Sequence, residues 1–203
     1  MIGMRRAQTG RRRDGRAARQ RGFTMTELFV VVAVAAILAA IAMPNLAEFI
    51  KNNARSARLN DLVAAINFAR GDAVTRRREA MLCATTTGGG GALLQTCSGN
   101  RFDRGYLVMS RATPASPWVR ERSFAPDGSS ASATVIGDAS QVTFAPSGLA
   151  AGAPANVRFV YCDDRGAPAA RAVVLSATGH PSISQDSDGD GVHDVNGVNL
   201  TCP

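Results

Sequence analysis

Four aspartates near the carboxyl end of the chain have the spacing of a calcium-binding loop. They fall at positions 1, 3, 5 and 9 of the stretch DSDGDGVHDVNG: Asp186, Asp188, Asp190 and Asp194. Oxygen atoms from alternate positions of such a loop wrap one hard cation, and Val192 at position 7 would add its main-chain carbonyl. Position 12 is Gly197, not the bidentate glutamate of an EF-hand. The spacing predicts an incomplete calcium loop, and the alternative is an acidic surface loop without an ion. No other cofactor is indicated.

The four cysteines predict two disulfide bonds. Cys83, Cys97, Cys162 and Cys202 all follow the long apolar segment of the chain and form no C-x-x-C pair, which argues against a zinc site. An even cysteine count on the exported side of a membrane is typical of disulfides. Three connectivities exist. We favour Cys83–Cys97 with Cys162–Cys202, because each bond then closes one local loop.

The sequence does not contain the patterns typical of an enzyme active site. His180 and His193 are its two histidines, and neither pairs with a cysteine or serine nucleophile motif. Ser147 lacks the G-x-S-x-G context. We therefore expect both histidines to be exposed loop residues, and we expect the protein not to be an enzyme.

The basic charge of the chain is confined to its first residues. Residues 1–22 hold eight arginines and one aspartate, whereas the other 181 residues hold fifteen basic and fifteen acidic side chains. A basic flank stays on the cytoplasmic side when the following segment crosses a membrane. Residues 28–43 have no polar side chain. As a helix, residues 23–43 would be about 32 Å long, which is close to the thickness of a bilayer core.

Three interpretations of this apolar segment compete. It is a secretory signal cleaved after Ala40-Ile41-Ala42, a plain membrane anchor, or a segment in which Glu27 has a function of its own. The first two give no reason for a carboxylate directly before an apolar run, because an ionised group is costly in lipid.

The residues around Glu27 resemble a known family. GFTMTEL at residues 22–28, then an apolar helix and Pro44-Asn45, is similar to the amino terminus of type IV pilin-like proteins. The resemblance implies that a prepilin peptidase cuts between Gly22 and Phe23 and methylates Phe23. Glu27 then falls on the family's acidic position and Pro44 on its helix-kink position. In an assembled fibre Glu27 would meet the α-amino group of a neighbouring Phe23, and a paired charge costs less than a lone one.

Later segments resemble minor pilins and pseudopilins of the GspH/FimT group. These segments are NDLVAAINFARGDAVTRR, MLC, VTFAPSG, FVYC and VVLSATG, and the resemblance covers most of residues 22–180. Some FimT-like members bind DNA through an arginine motif after the last glycine. Here Gly179 is followed by His180 and Pro181 in TGHPSIS, with no arginine, which argues against DNA as a partner.

Five other arginines are the candidate contacts for nucleic acid: Arg76, Arg77, Arg78, Arg165 and Arg171. The alternative is that these arginines have structural roles. The first three come at the end of a predicted helix, where solvated cations favour the negative end of the helix dipole. The last two are interpreted as charges at strand edges. We favour the structural interpretation.

Apolar residues beyond Pro44 recur at three-four spacing, which predicts that one long helix continues with an amphipathic half. They are Leu46, Phe49, Ile50, Ala57, Leu59, Leu62, Val63, Ile66, Ala69 and Ala73. Pro44 lacks an amide donor and is expected to bend the helix. Six β-like runs follow, separated by turn residues: EAMLCAT, RGYLVMS, WVRERSF, SQVTFAP, NVRFVYC and RAVVLSAT. The sequence predicts an α+β fold in which the long helix packs on a small antiparallel β domain.

The predicted organisation has five parts. They are a leader that is removed (1–22), a membrane and assembly helix (23–43), its amphipathic continuation (44–79), a β domain (80–180) and an Asp/Gly-rich loop (181–203). The resemblance implies a minor pilin-like subunit that contributes to fibre initiation or to the fibre tip. The alternatives are a type II secretion pseudopilin and a DNA-uptake or adhesion receptor on the pilus.

The resemblance also implies partners and a location. The partners are the prepilin peptidase, other pilins or pseudopilins, and the inner membrane before assembly. The chain would cross the inner membrane once, with its carboxyl-terminal domain in the periplasm. It would then enter a cell-surface pilus or a periplasmic pseudopilus.

Overall fold

A computed structural model of the chain describes residues 23–85, 96–125, 133–151 and 156–202. The predicted leader, including Gly22 of the processing motif, lies outside the described residues. The described part consists of one long helix followed by short strands, which is the α+β architecture that the sequence predicts.

Helix α1 (Met25–Arg76) is continuous through Pro44. Asn45 follows Pro44, and its Nδ2 donates a hydrogen bond to the main-chain oxygen of Ile41 at 3.3 Å. The chain divides into two compact units, Met1–Ala47 and Glu48–Pro203. The amino-terminal part of α1 belongs to the first unit, and the rest of α1 belongs to the second.

Eleven strands follow α1 in the described part of the chain. They are β1 (Glu79–Ala84), β2 (Tyr106–Arg111), β3 (Val119–Phe124), β4 (Thr134–Gly137), β5 (Gln141–Phe144), β6 (Ala150–Ala151), β7 (Val157–Cys162), β8 (Arg171–Leu175), β9 (Pro181–Ile183), β10 (Asp194–Val195) and β11 (Val198–Asn199). Short 3₁₀ helices occupy Phe102–Arg104 and Ala167–Ala169. The six predicted strands correspond to β1, β2, β3, β5, β7 and β8. The others have two to four residues, which is too short to show an alternating pattern.

The strands form three antiparallel sheets. The first has five strands in the order β3-β2-β1-β5-β6, the second has four in the order β4-β7-β8-β9, and β10 pairs with β11. Strand β1 lies at the centre of the first sheet, where Leu82 is opposite Val108 of β2 and Val142 of β5. Strand β3 lies at the edge of that sheet.

The main core lies where α1 meets the inner faces of the two larger sheets. Leu62, Ile66 and Ala69 of α1 are buried in one cluster with Leu82 of the first sheet and Phe159 of the second. Burying apolar surface contributes about 25 cal/mol per Å², so this contact is the main source of stability for the second unit.

Two boundaries within α1 differ from the prediction. Burial begins at Leu59, whereas Leu46, Phe49 and Ile50 are 57–61% exposed although they continue the same apolar pattern. Ala57 is also exposed. The helix ends at Arg76, not near residue 79, because Glu79 already belongs to β1.

The carboxyl-terminal tail also differs from the prediction. Residues 181–203 were expected to be an acidic loop, but they include β9, which extends the second sheet, and the β10–β11 hairpin. Val195 and Leu200 are buried in a separate small cluster with Cys162. A short tail with its own apolar cluster and a cross-link is therefore held on the domain.

The structure contains two disulfide bonds with the pairing favoured from the sequence. Cys83 is bonded to Cys97 and Cys162 to Cys202, with Cα–Cα distances of 5.5 and 5.7 Å. The first bond joins the central strand β1 to the segment before β2. The second ties the carboxyl end of the chain to the end of β7.

Candidate functional site

The amino end of α1 starts two residues after the predicted cleavage point. Thr24 precedes the helix, and its Oγ1 accepts a hydrogen bond from the main-chain amide of Glu27 at 3.2 Å. This contact satisfies one of the amide groups that have no partner within the first turn. Glu27 also places a negative charge in the first turn, where the helix dipole favours it. The T-x-x-E spacing of residues 24–27 is a capping-box signal that was available in the sequence.

The apolar side chains in the amino-terminal part of α1 are exposed all around the helix. Phe29, Ile37 and Leu38 are 62–67% exposed, and no residue in the most apolar 18-residue window of α1 is buried. The mean hydropathy of that window is 2.5, and α1 is the one helix among the described residues that is long and apolar enough to cross a membrane. A helix that is apolar on every face is stable only when lipid or other helices cover it. The segment therefore fits a membrane anchor.

The tail aspartates come together only in part. One carboxylate oxygen from each of Asp186, Asp188 and Asp194 lies within 4.8 Å of the others. Oxygen ligands at 2.3–2.6 Å from a calcium ion are separated by at most about 5 Å, so these three carboxylates fit one such ion. Asp190 is not in this group. Its Oδ2 accepts a hydrogen bond from Asn199, and its Oδ1 accepts one from the amide of Val192 at 2.8 Å.

Hydrogen bonds favour the charged form of two of these carboxylates, Asp194 and Asp186. The hydroxyl and then the amide of Ser187 donate to Asp194 Oδ2 and lower the pKa of Asp194. Desolvation raises the pKa of Asp186, but amide hydrogen bonds from Gly189 and Gly191 outweigh it and hold that pKa below its ordinary value. The sequence gives no signal for Ser187, because serine is not a usual calcium ligand and its partner lies seven residues away.

The arginines at the end of α1 are not simply solvated. Arg78 donates to both carboxylate oxygens of Asp72, and its Nη2 lies 3.0 Å from Glu121 of β3. Arg76 pairs with the same two carboxylates at 3.2 Å. Only 4% of the Asp72 side chain is exposed. Arg77 has a positive φ of 50° and is exposed at the point where the chain leaves the helix.

The other two candidate arginines also have structural partners. Arg165 is paired with Asp163 at 2.7 Å and Glu48 at 2.9 Å, and 16% of its side chain is exposed. Arg171 donates to the main-chain oxygens of Pro168 and Ala170. Four of the five candidates therefore have hydrogen-bond or ion-pair partners within the domain, and Arg77 alone among them has none in the described part of the chain.

The histidines have different surroundings. His180 is exposed, as expected. The expectation was wrong for His193, which is half-buried, and its Nδ1 lies 2.6 Å from the main-chain oxygen of Ser184. Burial lowers the pKa of His193, and the nearby charge of Arg171 acts in the same direction.

Two sequence families match the chain. One is described as Type II transport protein GspH and matches residues 58–179, more than half of the chain. The chain belongs to the GspH family. The second, the prokaryotic N-terminal methylation motif, matches residues 17–43. A comparison with curated proteins gave no match.

The GspH family consists of pilins and pseudopilins, which are structural components. A crystal structure of the type IV minor pilin FimU from Pseudomonas aeruginosa has the same fold. Its TM-score is 0.52 at 18% identity, and the match covers 68% of this chain and 92% of that one. A second crystal form of FimU gives 0.48 at 17% identity, over 64% and 92% of the two chains. The GspH-family assignment, the methylation motif and this fold agree with the resemblance seen in the sequence.

Proposed function

We propose that this GspH-family protein is a minor type IV pilin-like subunit. In this proposal a prepilin peptidase cuts between Gly22 and Phe23, and Phe23 is then methylated. Before assembly the subunit is held in the inner membrane by α1, with its carboxyl-terminal domain in the periplasm. It then enters a pilus and contributes to fibre initiation or to the tip.

The observation that carries the proposal is the combination of a methylation motif with a helix that exposes apolar side chains on every face. Residues 17–43 match the motif, and the apolar window of α1 has no buried residue. Outside lipid, such a helix needs other helices around it. A bundle of similar subunits supplies them, so the same segment serves as an anchor before assembly and as packing surface afterwards.

The charge of Glu27 would favour the helix bundle over lipid. Glu27 is the single ionisable side chain between Phe23 and Ala47. In a helix bundle its carboxylate would pair with the α-amino group that cleavage creates on a neighbouring Phe23. Removing one member of a desolvated charge pair is much more costly than the net worth of the pair. The pair would therefore favour correct axial placement of each incoming subunit.

The experiment uses two substitutions of Glu27 in the full chain. Glu27→Gln keeps the shape and removes the charge, whereas Glu27→Asp keeps the charge. We expect both variants to insert in the membrane and to be cleaved, and only Glu27→Asp to enter sheared fibres in appreciable amount. Cleavage is read from the mass of the mature chain and incorporation from immunoblots of the sheared fraction. Normal recovery of Glu27→Gln in fibres would exclude this role of the charge.

A second candidate is a type II secretion pseudopilin, and membership of the family of Type II transport protein GspH favours it. A gene deletion separates the two. Loss of pili with normal protein secretion supports the pilus subunit, whereas loss of secretion with normal pili supports the pseudopilin. Normal pili and secretion with lost DNA uptake or attachment would instead indicate a receptor.

A further inference from the structure

Two arginines hold the same short turn at the end of the second unit where α1 enters it. Arg55 of α1 donates a hydrogen bond to the main-chain oxygen of Ala169 at 2.9 Å. Arg171, the first residue of β8, donates to the main-chain oxygens of Pro168 and Ala170 at 3.1 and 2.6 Å. Three consecutive carbonyl groups therefore bring two guanidinium groups to one place.

Neither of these two arginines is neutralised by a carboxylate. Within the described residues Arg55 and Arg171 form no ion pair, whereas the neighbouring Arg165 is paired with two carboxylates. Burial lowers the pKa of Arg171, and the positive charges of Arg55 and Arg165 act in the same direction. Asp186 acts in the opposite direction without forming an ion pair. Two positive charges are thus held close together without a counter-ion from the protein.

A buried tyrosine lies beside the two arginines. Tyr161 of β7 is directly opposite Arg171 of β8, and opposite residues of an antiparallel pair point to the same face. This face also carries Phe159 and Val173, which are buried in the main core with residues of α1. Tyr161 is only 2% exposed, yet its hydroxyl group has no hydrogen-bond partner among the described residues.

The hydroxyl group of Tyr161 opens towards the arginines. Every fully buried side-chain nitrogen or oxygen in the described residues has a hydrogen-bond partner, so this unpaired oxygen must reach the surface. Burial raises the pKa of Tyr161, and Asp163 acts in the same direction, whereas the nearby charges of Arg165 and Arg55 oppose the rise. A polar group that is nearly buried and unpaired costs free energy, and a ligand that accepts its hydrogen bond recovers that cost.

We propose that Arg55, Arg171 and Tyr161 bind a doubly charged phosphate group, and we call these three residues the phosphate site. The turn uses Nη1 of each arginine, which leaves the Nε and Nη2 groups of both as donors. A guanidinium group matches two phosphate oxygens at once. The Tyr161 hydroxyl would donate to a further oxygen.

The charge of the site favours a phosphate monoester or a free phosphate ion. A phosphate monoester carries a charge of about −1.5 to −2 at pH 7, which balances both arginines. A carboxylate or a phosphodiester carries one negative charge and would balance only one of them. The inference goes beyond the proposed function and does not depend on it, because the phosphate site lies wholly within the second unit.

The test is calorimetry of the purified full chain in detergent, at constant ionic strength and at a pH about two units above the second pKa of phosphate, which is about 6. The probes are methyl phosphate, which is doubly charged, and dimethyl phosphate, which has one charge. We expect methyl phosphate to bind and dimethyl phosphate to bind at least about tenfold more weakly, because it engages fewer charge-assisted hydrogen bonds. No heat with methyl phosphate, or equal affinity for the two probes, would overturn the inference.

A competition experiment distinguishes two sources of the same phosphate chemistry. Phosphatidic acid in the detergent micelles and inorganic phosphate in solution each compete with bound methyl phosphate. If phosphatidic acid displaces it at the lower concentration, the phosphate site takes a lipid headgroup. If inorganic phosphate does so, the site takes free phosphate. If neither displaces methyl phosphate, the inference is wrong.

Tyr161→Phe tests the site with the least disturbance of the fold. The substitution removes a hydroxyl group that has no partner in the described part of the chain, so the free energy of unfolding without ligand should not fall. The affinity for methyl phosphate should fall about tenfold, because a hydrogen bond to a charged group is lost. Tyr106→Phe is the matched control, since Tyr106 is a buried tyrosine of β2 that lies near Asp61. An unchanged affinity in Tyr161→Phe, or an equal loss in Tyr106→Phe, would contradict the proposed site.

Arg171→Gln tests the charge of the site. It should weaken methyl phosphate binding by at least about tenfold, because charge-assisted hydrogen bonds are lost. Arg158→Gln is its control, because Arg158 points to the opposite face of β7 and is paired with Asp138. Arg158→Gln should leave the affinity unchanged. Wild-type affinity in Arg171→Gln, or an equal loss in the control, would show that phosphate does not bind at this site.

Discussion

Arg70 Nε donates a hydrogen bond to the main-chain oxygen of Gly148 at 3.0 Å. Gly179 packs against the same pair: a Cβ built on it would contact the Gly148 oxygen and lie 3.1 Å from Arg70 Nε. Gly179 also has a positive φ of 78°, which favours glycine. One arginine on α1 therefore holds the turn between β5 and β6, and the turn between β8 and β9 closes over both groups.

We expect Arg70→Ala to lower the free energy of unfolding by about 2 kcal/mol, because a hydrogen bond from a charged donor contributes about 1.5–3 kcal/mol. Urea denaturation of the purified full chain in detergent measures the change. Lys51→Ala is the matched control, since Lys51 forms an ion pair with Asp164 in which both side chains are exposed. Such pairs contribute less than about 1 kcal/mol. Equal losses in the two variants would contradict the role given to Arg70.

Asp72→Asn tests the ion-pair network at the end of α1. The substitution removes a buried negative charge that Arg78 and Arg76 both contact. Arg78 keeps Glu121 as a partner, so the loss should be smaller than the 3–5 kcal/mol typical of breaking a fully buried pair. We expect the free energy of unfolding, measured by urea denaturation, to fall by about 2 kcal/mol.

The control for Asp72 is Asp138→Asn, in the segment between β4 and β5. Asp138 forms a comparable contact with Arg158 at 2.8 Å, but more than a third of each side chain is exposed. We expect a loss below about 1 kcal/mol there. A larger effect at Asp138 than at Asp72 would show that burial does not decide the strength of these pairs.

The sequence predicts α1 well because its signals are local. An apolar run followed by three-four spacing needs no knowledge of the rest of the chain. The same pattern cannot tell what covers the apolar face, so Leu46 and Phe49 look like Leu62 in the sequence although they are exposed. The short strands of the tail have too few residues to alternate, and β9 is placed by its pairing with β8.

The candidate ion site also shows that a local sequence signal does not reveal contacts with distant residues. The spacing of Asp186, Asp188 and Asp194 is a local signal, and the structure brings their oxygens together. Asp190 has the same spacing but is drawn away by Asn199, nine residues later, once β10 and β11 pair. A contact that depends on the register of a later hairpin cannot be read from the loop motif alone.

The acid stability of the domain should fall in two stages, and the upper stage belongs to His193. Burial lowers its pKa, so the unfolded chain binds this proton more tightly than the folded one. Stability is then lost as pH falls from the ordinary value of 6.5 towards the lower folded pKa. His193→Gln should remove this upper stage from a plot of the urea midpoint against pH. His180→Gln, at an exposed site, should leave it in place.

The lower stage belongs to carboxylates with depressed pKa values. A hydrogen bond from Arg165 lowers the pKa of Asp163, and one from Ser110 lowers the pKa of Glu121. Such groups stabilise the fold above their ordinary values of 3.8 and 4.5 and lose that contribution as pH falls through the folded values. The lower stage should therefore persist in His193→Gln. A single transition in the wild-type protein would contradict the assignment.

Removing the bond between Cys162 and Cys202 should open the tail before the main core. The tail residues Val195 and Leu200 belong to a separate apolar cluster, and the bond closes a loop of sequence separation 40. The double variant Cys162→Ser/Cys202→Ser avoids a free thiol. We expect faster hydrogen exchange at the Leu200 amide, which donates to His193 at 2.8 Å, with little change at Leu82 in β1. Equal acceleration at both amides would show that the tail and the core unfold together.

Calcium should bind weakly to the tail through Asp186, Asp188 and Asp194. Their clustered oxygens fit a cation, but position 12 supplies no carboxylate, so we expect a dissociation constant of about 10⁻⁴–10⁻³ M, as in extracellular calcium modules. At about ten times that concentration, binding to the folded state alone stabilises it by about 1.4 kcal/mol. Calorimetry of the full chain in detergent and the thermal midpoint with and without calcium measure the two quantities.

Asp188→Asn is the test variant for calcium, because Asp188 is exposed and its loss removes a cluster carboxylate. The apparent affinity for calcium, measured by calorimetry, should fall at least about tenfold. The thermal shift that calcium produces should fall accordingly. Asp164→Asn removes one negative charge next to Lys51, outside the carboxylate cluster, and should leave both unchanged. Because a carboxylate cluster without a cation suffers mutual repulsion, Asp188→Asn should also stabilise the tail when calcium is absent. If the wild-type chain gives no calcium heat, or if the two variants give equal heats, this loop is an acidic surface loop without an ion.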